Sequence, residues 1–202
     1  MKKPKLKAKV DGTKVITGVV RFSYVHIWEP SSINGGEEKY SVSLLIDKGD
    51  TDTLEAIDQA IKQAIENGKS KLGGKINNLK LPLRDGDAER EDDLVYENMM
   101  FINASSKTKP SVVNKKLVPI TNSEELYSGC YGRASVNFYI FNNNGNRGVA
   151  CGINHIMKTA DGDFLGGRSK AEDDFAGFAD LDTTDFEDDD EDDADDEVGG
   201  RF

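Results

Sequence analysis

The chain has 202 residues and a net charge of −11, but residues 172–202 alone carry −15 and the preceding 171 residues carry +4. No apolar run is long enough for a membrane span or a signal peptide, and two cysteines, Cys130 and Cys151, are too few for a disulfide framework. Composition therefore excludes membrane-spanning and disulfide-stapled proteins, and it predicts an intracellular protein whose cysteines are reduced.

The first third of the chain predicts a basic arm, a hairpin and a helix. Residues 1–14 form the arm, which is expected to be mobile. Residues 15–28 are β-branched and aromatic and end at a Glu-Pro pair, which predicts a long strand; residues 39–47 alternate apolar and polar and predict its hairpin partner. Asp52 and Glu55 have capping-box spacing before a stripe of leucine and isoleucine, which predicts an amphipathic helix ending near Gly68.

The middle of the chain combines a long loop with two shorter strands. Residues 68–93 predict a loop whose Asp-Gly-Asp sequence lacks the glycine and flanking helices of a calcium loop; Arg84, within it, is a candidate phosphate contact. Residues 99–105 predict a third strand, followed by a hydroxyl-rich turn with Lys107 and Lys109. Backbone amides, hydroxyls and lysines of this kind can hold phosphates. Residues 112–120 predict a weaker fourth strand.

The last two strands are the most informative. In residues 133–141, one face of the predicted strand is apolar and the other carries Arg133, Tyr139 and Phe141, while the Asn-rich turn that follows predicts a hairpin with residues 147–157. A sheet face with arginine, asparagine and exposed aromatics suits the stacking of unpaired bases. The alternative, in which Tyr139 and Phe141 cover a second small core beneath the long loop, stays open.

Catalytic and metal chemistry find no support in the sequence. Cys-x-x-Cys and His-x-x-x-His spacings are absent, as are a Walker motif and a dinucleotide fingerprint. His26 and His155 fall in predicted strands, where packed histidines are ordinary. We therefore predict a binding protein that is not an enzyme and needs no cofactor or metal.

The C-terminal segment is predicted to be a disordered acidic tail, because 16 acids and one arginine in residues 172–202 repel one another and bury nothing. Its last residue is Phe202. Spaced negative charges with an aromatic ring imitate single-stranded DNA, so the tail is expected to compete with DNA for a basic groove and then bind a partner through Phe202. A tail that serves solubility alone remains the alternative. The predicted domain boundary is thus 1–171 and 172–202.

Nine blocks of the sequence stand together in one recognisable order: Arg21-Phe-Ser-Tyr24, Lys39-Tyr-Ser41, Pro82-Leu-Arg-Asp-Gly-Asp87, Phe101-Ile-Asn-Ala-Ser-Ser-Lys-Thr-Lys-Pro110, Tyr127-Ser-Gly-Cys-Tyr131, Ala134-Ser-Val-Asn-Phe-Tyr139, Phe141-Asn-Asn-Asn-Gly-Asn146, Gly166-Gly-Arg168 and Ala171-Glu-Asp-Asp-Phe175. With these blocks the chain resembles a family of single-stranded DNA-binding proteins encoded by tailed bacteriophages and prophages. The resemblance implies a mainly β, OB-fold-like antiparallel five-stranded barrel with one amphipathic helix, placed here after the second strand rather than the third. It also implies a homodimer whose tail contacts the phage DNA polymerase and helicase or recombinase.

The function predicted from sequence is sequence-independent binding of single-stranded DNA during phage replication and recombination, in the cytoplasm of the bacterial host. An alternative is an acidic DNA mimic or chaperone-like protein that binds basic partners, although such a protein has no need of a basic domain with an aromatic strand face. The predicted DNA-binding residues are Arg21, Lys39, Arg84, Lys107, Lys109, Arg133, Tyr139, Phe141 and Arg147, and the predicted partner-binding residue is Phe202.

Overall fold

Strands dominate the backbone, as the alternating patterns predict. The structure is a computed structural model, and it describes residues 7–32, 35–74 and 76–166; the predicted tail, with Phe202, lies outside the described residues. In that described part the elements are β1 (Lys9–Asp11), β2 (Lys14–Ile16), β3 (Val20–Ser31), β4 (Lys39–Asp47), α1 (Thr51–Gly68), β5 (Leu83–Asp85), α2 (Gly86–Glu89), β6 (Met99–Ser106), β7 (Ser111–Val113), β8 (Tyr131–Asn143) and β9 (Asn146–Ala160).

Five strands close into a ring in the order β8, β3, β4, β6, β9, with β9 pairing back to β8. All neighbours are antiparallel except β6 and β9, which run parallel with Ala104 opposite Cys151. The ring is uneven, because β3 and β8 share only two paired positions, Val20 with Gly132 and Arg21 with Tyr131. This ring confirms the predicted OB-fold-like, five-stranded architecture.

The core fills the ring with the inward-facing residues of each strand, because side chains alternate between the two faces. Phe22, Leu44, Ile102 and Phe138 are at most 1% exposed. Cys151 is also inward and buried, which raises the pKa of its thiol. Both described cysteines are free, and Cys151 lies opposite Phe138 in the register of β8 and β9.

Helix α1 follows the second strand of the ring, as predicted, and packs against β8 and β1. Ile57 and Ile61 are buried on its inner face, so the predicted stripe is core packing. The predicted capping box is wrong: the cap is Asp50, whose carboxylate accepts a hydrogen bond from the Thr53 amide. No helix among the described residues is long and apolar enough to cross a membrane.

The predicted long loop folds over the outer face of β4 and β6. Residues 83–96, here called the covering segment, begin within this loop and place Tyr96 on Phe101 with ring centroids 5.1 Å apart at 88°. Leu45 joins these two rings in a small second core. A second core beneath the loop therefore exists, but it is built on β4 and β6 rather than on Tyr139 and Phe141.

Local predictions failed where a turn or a side-chain cap interrupts a strand. The predicted strand 15–28 is divided near Gly18 and runs on through Pro30 to Ser31. Within the predicted strand 112–120, the Asn114 side chain accepts hydrogen bonds from the amides of Lys116 and Val118 and turns the chain.

Two further expectations are wrong. Part of the predicted basic arm is ordered, since residues 9–16 form a β1–β2 hairpin beside β8. His26 and His155 are not packed in the core but exposed, because their neighbours Ile27 and Ile156 take the inward positions.

Candidate nucleic-acid interface

Small polar side chains cross the outer face of the ring in one row. The register pairs His26 with Ser41, Ser41 with Ser105, Ser105 with Gly152, and Gly152 with Asn137. Inward neighbours such as Val42, Ala104 and Cys151 are buried, so the row lies on the outside. We call His26, Ser41, Ser105, Gly152 and Asn137 the polar row. It offers hydrogen-bonding groups without bulk, which leaves the face open to an extended ligand.

Tyr139 lies at one end of the polar row and is 47% exposed. A Cβ atom on Gly152 would lie 3.5 Å from Cε1 of its ring, an ordinary van der Waals distance, so the ring lies directly beside Gly152 above the sheet. A cleft of about 220 Å³ beside the ring is lined by Thr13, Asn67 and Lys71, among others. An exposed ring beside a lysine and amides can stack on a base.

Phe141 and Arg147 continue from Tyr139 towards the hairpin turn. Phe141 is half-buried, in contrast with the exposed Tyr139. Arg147 pairs in register with Asn142, and its guanidinium donates a hydrogen bond to the Asn77 carbonyl at 3.5 Å. Tyr139 and Phe141 therefore share the outer face, whereas Arg147, opposite Asn142, lies on the other face of the hairpin, and its contact with DNA stays a prediction.

Three predicted lysines gather where β4 begins and β6 ends. Lys107 Nζ lies 2.6 Å from Glu37 Oε1, and Lys39 Nζ lies 3.8 Å from Glu37 Oε2. Lys109 Nζ lies 5.5 Å from the ring centroid of Trp28. We call Lys39, Lys107 and Lys109 the basic cluster.

The basic cluster borders the polar row. Lys39 is two residues before Ser41 and Lys107 is two residues after Ser105, a distance of roughly 7 Å at the rise of a strand. The hydrogen bond from Lys107 holds the pKa of Glu37 below its usual value, so this carboxylate stays ionised and offsets one of the three positive charges. Exposed ion pairs of this kind are weak, and a phosphate can replace the carboxylate.

The other predicted arginines make contacts within the protein. Arg21 donates to the carbonyls of Gly129 and Asp163, and Arg133 donates to the carbonyls of Thr17 and Lys7. Arg84 pairs with Glu89, and its guanidinium lies 4.7 Å from the Phe101 centroid. The structure does not bring these three arginines to the polar row, and their contact with DNA stays a prediction.

Sequence reasoning missed several groups on this face. Ser41 and Gly152 look unremarkable one strand at a time, and only the register aligns them with Ser105, which begins the predicted hydroxyl-rich turn. Lys71 reaches the cleft beside Tyr139 from the end of the helical region, far away in sequence. The sequence signal that could have revealed the polar row was the alternation of serines with apolar residues in β4 and β6. Among the described residues, no group of three or more histidine, cysteine, aspartate or glutamate side chains could hold a metal ion.

The chain is similar in sequence to known phage proteins. The family described as the single-stranded DNA-binding protein of Enterobacter phage Enc34 matches residues 13–194. Protein p50 of Acyrthosiphon pisum secondary endosymbiont phage 1 is 34% identical over 172 residues, which make up 80% of this chain and 92% of that protein.

Solved structures are similar over most of the chain. The single-stranded DNA-binding protein from bacteriophage Enc34, in complex with single-stranded DNA, has a TM-score of 0.69 and 28% identity, covering 82% of this chain and 97% of that one. Gp2.5, the single-stranded DNA-binding protein of bacteriophage T7, shares the fold at a TM-score of 0.57 and 14% identity, covering 88% and 97%. The chain therefore belongs to the family of phage single-stranded DNA-binding proteins represented by that of Enterobacter phage Enc34.

Proposed function

We propose that this protein binds single-stranded DNA, without regard to sequence, across the polar row and the basic cluster. The observation that carries the proposal is the meeting of an exposed ring, Tyr139, a row of small polar side chains and three lysines on one outer face. Phosphates and stackable bases are the ligand that needs all three. The Enc34 relative, whose structure contains single-stranded DNA, supports the same conclusion.

In this proposal the basic cluster binds phosphates and displaces Glu37 from Lys107 and Lys39. One base stacks on Tyr139, whose ring is exposed. The polar row makes hydrogen bonds to phosphate and sugar oxygens, which carry no sequence information. Such a surface binds and releases its ligand unchanged, so the function is that of a binding protein rather than an enzyme.

The acidic tail, residues 172–202, has a regulatory role in this proposal. Its charge of −15 competes with DNA for the +4 domain formed by residues 1–171, and Phe202 binds partner proteins when DNA displaces the tail. The partners are the phage DNA polymerase and the helicase or recombinase, and the protein acts as a homodimer in replication and recombination in the host cytoplasm. The charge contrast between residues 1–171 and residues 172–202 supports this part of the proposal.

A salt titration tests the binding surface. With about four phosphates neutralised, log K against log salt should have a slope of roughly −3, and single strands should bind more tightly than duplex. Lys107→Ala and Lys109→Ala should each make the slope shallower by about 0.7. Lys62→Ala is the matched control, since Lys62 lies on α1 and is 74% exposed. A slope near zero, a preference for duplex or an equal effect of Lys62→Ala contradicts the proposal.

A further inference from the structure

A second cleft, of about 360 Å³, opens beside Tyr24 on the outer side of β3. Tyr24 sits in a β-bulge between Ser23 and His26, has a positive φ of 47°, and is 52% exposed. A tyrosine in this conformation is strained, and its exposed ring contributes little to the core. Strained, exposed residues at bulges are typical of functional sites.

Residues 161–166, which follow β9, form the opposite wall of this cleft through Phe164, Leu165 and Gly166. The Leu165 amide donates to the Ser128 carbonyl at 2.7 Å, and Arg21 donates to the Asp163 carbonyl at 3.0 Å. The Phe164 ring lies 5.7 Å from that of Tyr127 and remains 40% exposed. These contacts hold Phe164 at the wall of the cleft.

Two glycines allow this close approach. A Cβ atom on Gly129 would lie 2.0 Å from the Asp163 carbonyl oxygen, and one on Gly162 would lie 2.2 Å from the Gly129 carbonyl oxygen. Any side chain at either position would push residues 161–166 away. The wall therefore depends on backbone fit as well as on the rings.

The lining of the cleft matches a nucleobase and its phosphate. Tyr24 and Phe164 offer ring surfaces, while Ser23, Ser128 and Asp93 offer groups for hydrogen bonds to a base edge. The Arg90 guanidinium lies 5.9 Å from the Tyr24 centroid and supplies a cation at the same place. The volume falls in the range of small-molecule sites, about 300–1,000 Å³.

We propose that this cleft binds one unstacked base of the DNA strand, between Tyr24 and Phe164. The inference rests on the proposed function and extends it, because Tyr24 is two residues from His26, the first member of the polar row. It also gives residues 161–166 a role: they complete a base site immediately before the part of the chain that leads to the acidic tail. A base bound there holds these residues in place.

The test uses the full-length protein and short oligonucleotides in which one position at a time is abasic. For the wild type, one abasic position should lower affinity by roughly 5- to 140-fold, the effect of losing one stacked base. Tyr24→Gly should bind the unmodified strand more weakly by the same range and should no longer respond to that abasic position. Glycine suits a positive φ, so this variant should melt no lower than the wild type.

Phe164→Ala and Gly162→Ala should both weaken DNA binding as Tyr24→Gly does. The first removes the Phe164 ring, and the second displaces it. Leu94→Ala is the control, because Leu94 is 81% exposed on the covering segment and does not line the cleft. If Tyr24→Gly and Phe164→Ala both bind single-stranded DNA as tightly as the wild type, the inference is wrong, but the proposed function still stands. If only Gly162→Ala binds single-stranded DNA as tightly as the wild type, residues 161–166 do not have the proposed role. A wild-type protein that binds no single-stranded DNA refutes the proposed function itself.

Discussion

Lys48 binds the covering segment to the barrel through two ion pairs. Its Nζ lies 2.6 Å from Asp85 Oδ1 and 2.6 Å from Asp87 Oδ2, and Asp87 also accepts a hydrogen bond from the Asn98 amide. The hydrogen bond from Lys48 lowers the pKa of both aspartates. The Asp-Gly-Asp sequence that superficially resembles a calcium loop therefore binds an internal cation.

Lowered aspartate pKa values make stability depend on pH in a definite direction. A carboxyl whose pKa is lower in the folded state stabilises the fold above its unfolded pKa, near 3.9, and this contribution is lost as pH falls through the folded pKa. We expect the free energy of unfolding to fall below about pH 4, and to fall less in Lys48→Met. Denaturant unfolding at several pH values measures this, with Lys62→Met as the control. Parallel curves for the wild type and Lys48→Met contradict the prediction.

Tyr139 is the residue on which the proposed DNA surface can be tested most directly. Tyr139→Ala should weaken binding of single-stranded DNA by about 1–3 kcal/mol, because a stacked ring is lost. The slope of affinity against salt should not change, since the ring carries no charge. Tyr139→Phe keeps the stacking surface and should bind nearly normally. Unchanged affinity with a lower melting temperature would mean that the ring belongs to the core.

At the scale of elements, the covering segment relies on Gly86. A Cβ atom there would lie 2.3 Å from the Tyr96 carbonyl oxygen and 2.7 Å from that of Met99. Gly86→Ala should therefore lift the segment from Leu45 and Phe101, at a cost of about 1–3 kcal/mol in the free energy of unfolding. Chemical denaturation checks this, and Glu91→Ala, an exposed change on the same segment, should have almost no effect. Equal stability of Gly86→Ala and the wild type would show that the segment adapts.

Elements with a strong local pattern were predictable from sequence, whereas those fixed by distant contacts were not. The β8–β9 hairpin follows from alternation and from Asn144-Gly145, both of which have the positive φ that a tight hairpin turn requires. The covering segment depends on Lys48, which lies outside it, so its sequence reads as a loop.

The candidate site was predictable to the same extent. Residue type alone was enough to select aromatic residues and lysines as candidates. Tyr139, Lys107 and Lys109, which were predicted in this way, lie on the proposed surface. Arg21 and Arg133 have the same charge, but they bond to backbone carbonyls, which a sequence does not display. The polar row required the register of four strand pairs.

The whole molecule combines a domain of charge +4 with a predicted tail of charge −15. A chain truncated after Ala171 should bind single-stranded DNA more tightly than the full chain, and the difference should be largest at low salt. The reason is that a tethered polyanion is a concentrated competitor whose attraction is screened as ionic strength rises. Oligonucleotide titrations at several salt concentrations measure the effect. Equal affinity at low salt would rule out competition by the tail.

Phe202→Ala separates the aromatic residue from the charge of the tail. It should leave DNA affinity nearly intact, since no charge is removed. It should weaken binding to the polymerase or helicase, since the ring no longer fills a pocket of that partner. Pull-down of the partner by the DNA-free protein provides the measurement. If partner capture and phage DNA synthesis are both unchanged, solubility becomes the better account of the tail.

The parallel contact between β6 and β9 has a consequence for the order of folding. Hairpins β3–β4 and β8–β9 join neighbouring parts of the chain, but the ring closes only when Val20 meets Gly132 and Ala104 meets Cys151. Such distant contacts carry a large loop-closure entropy, so two-state domains built on them fold in about milliseconds to seconds rather than microseconds. Until that late step, the edges of β3 and β6 lack their partners. The nascent protein is therefore most prone to strand-mediated aggregation before its last two ring strands have paired.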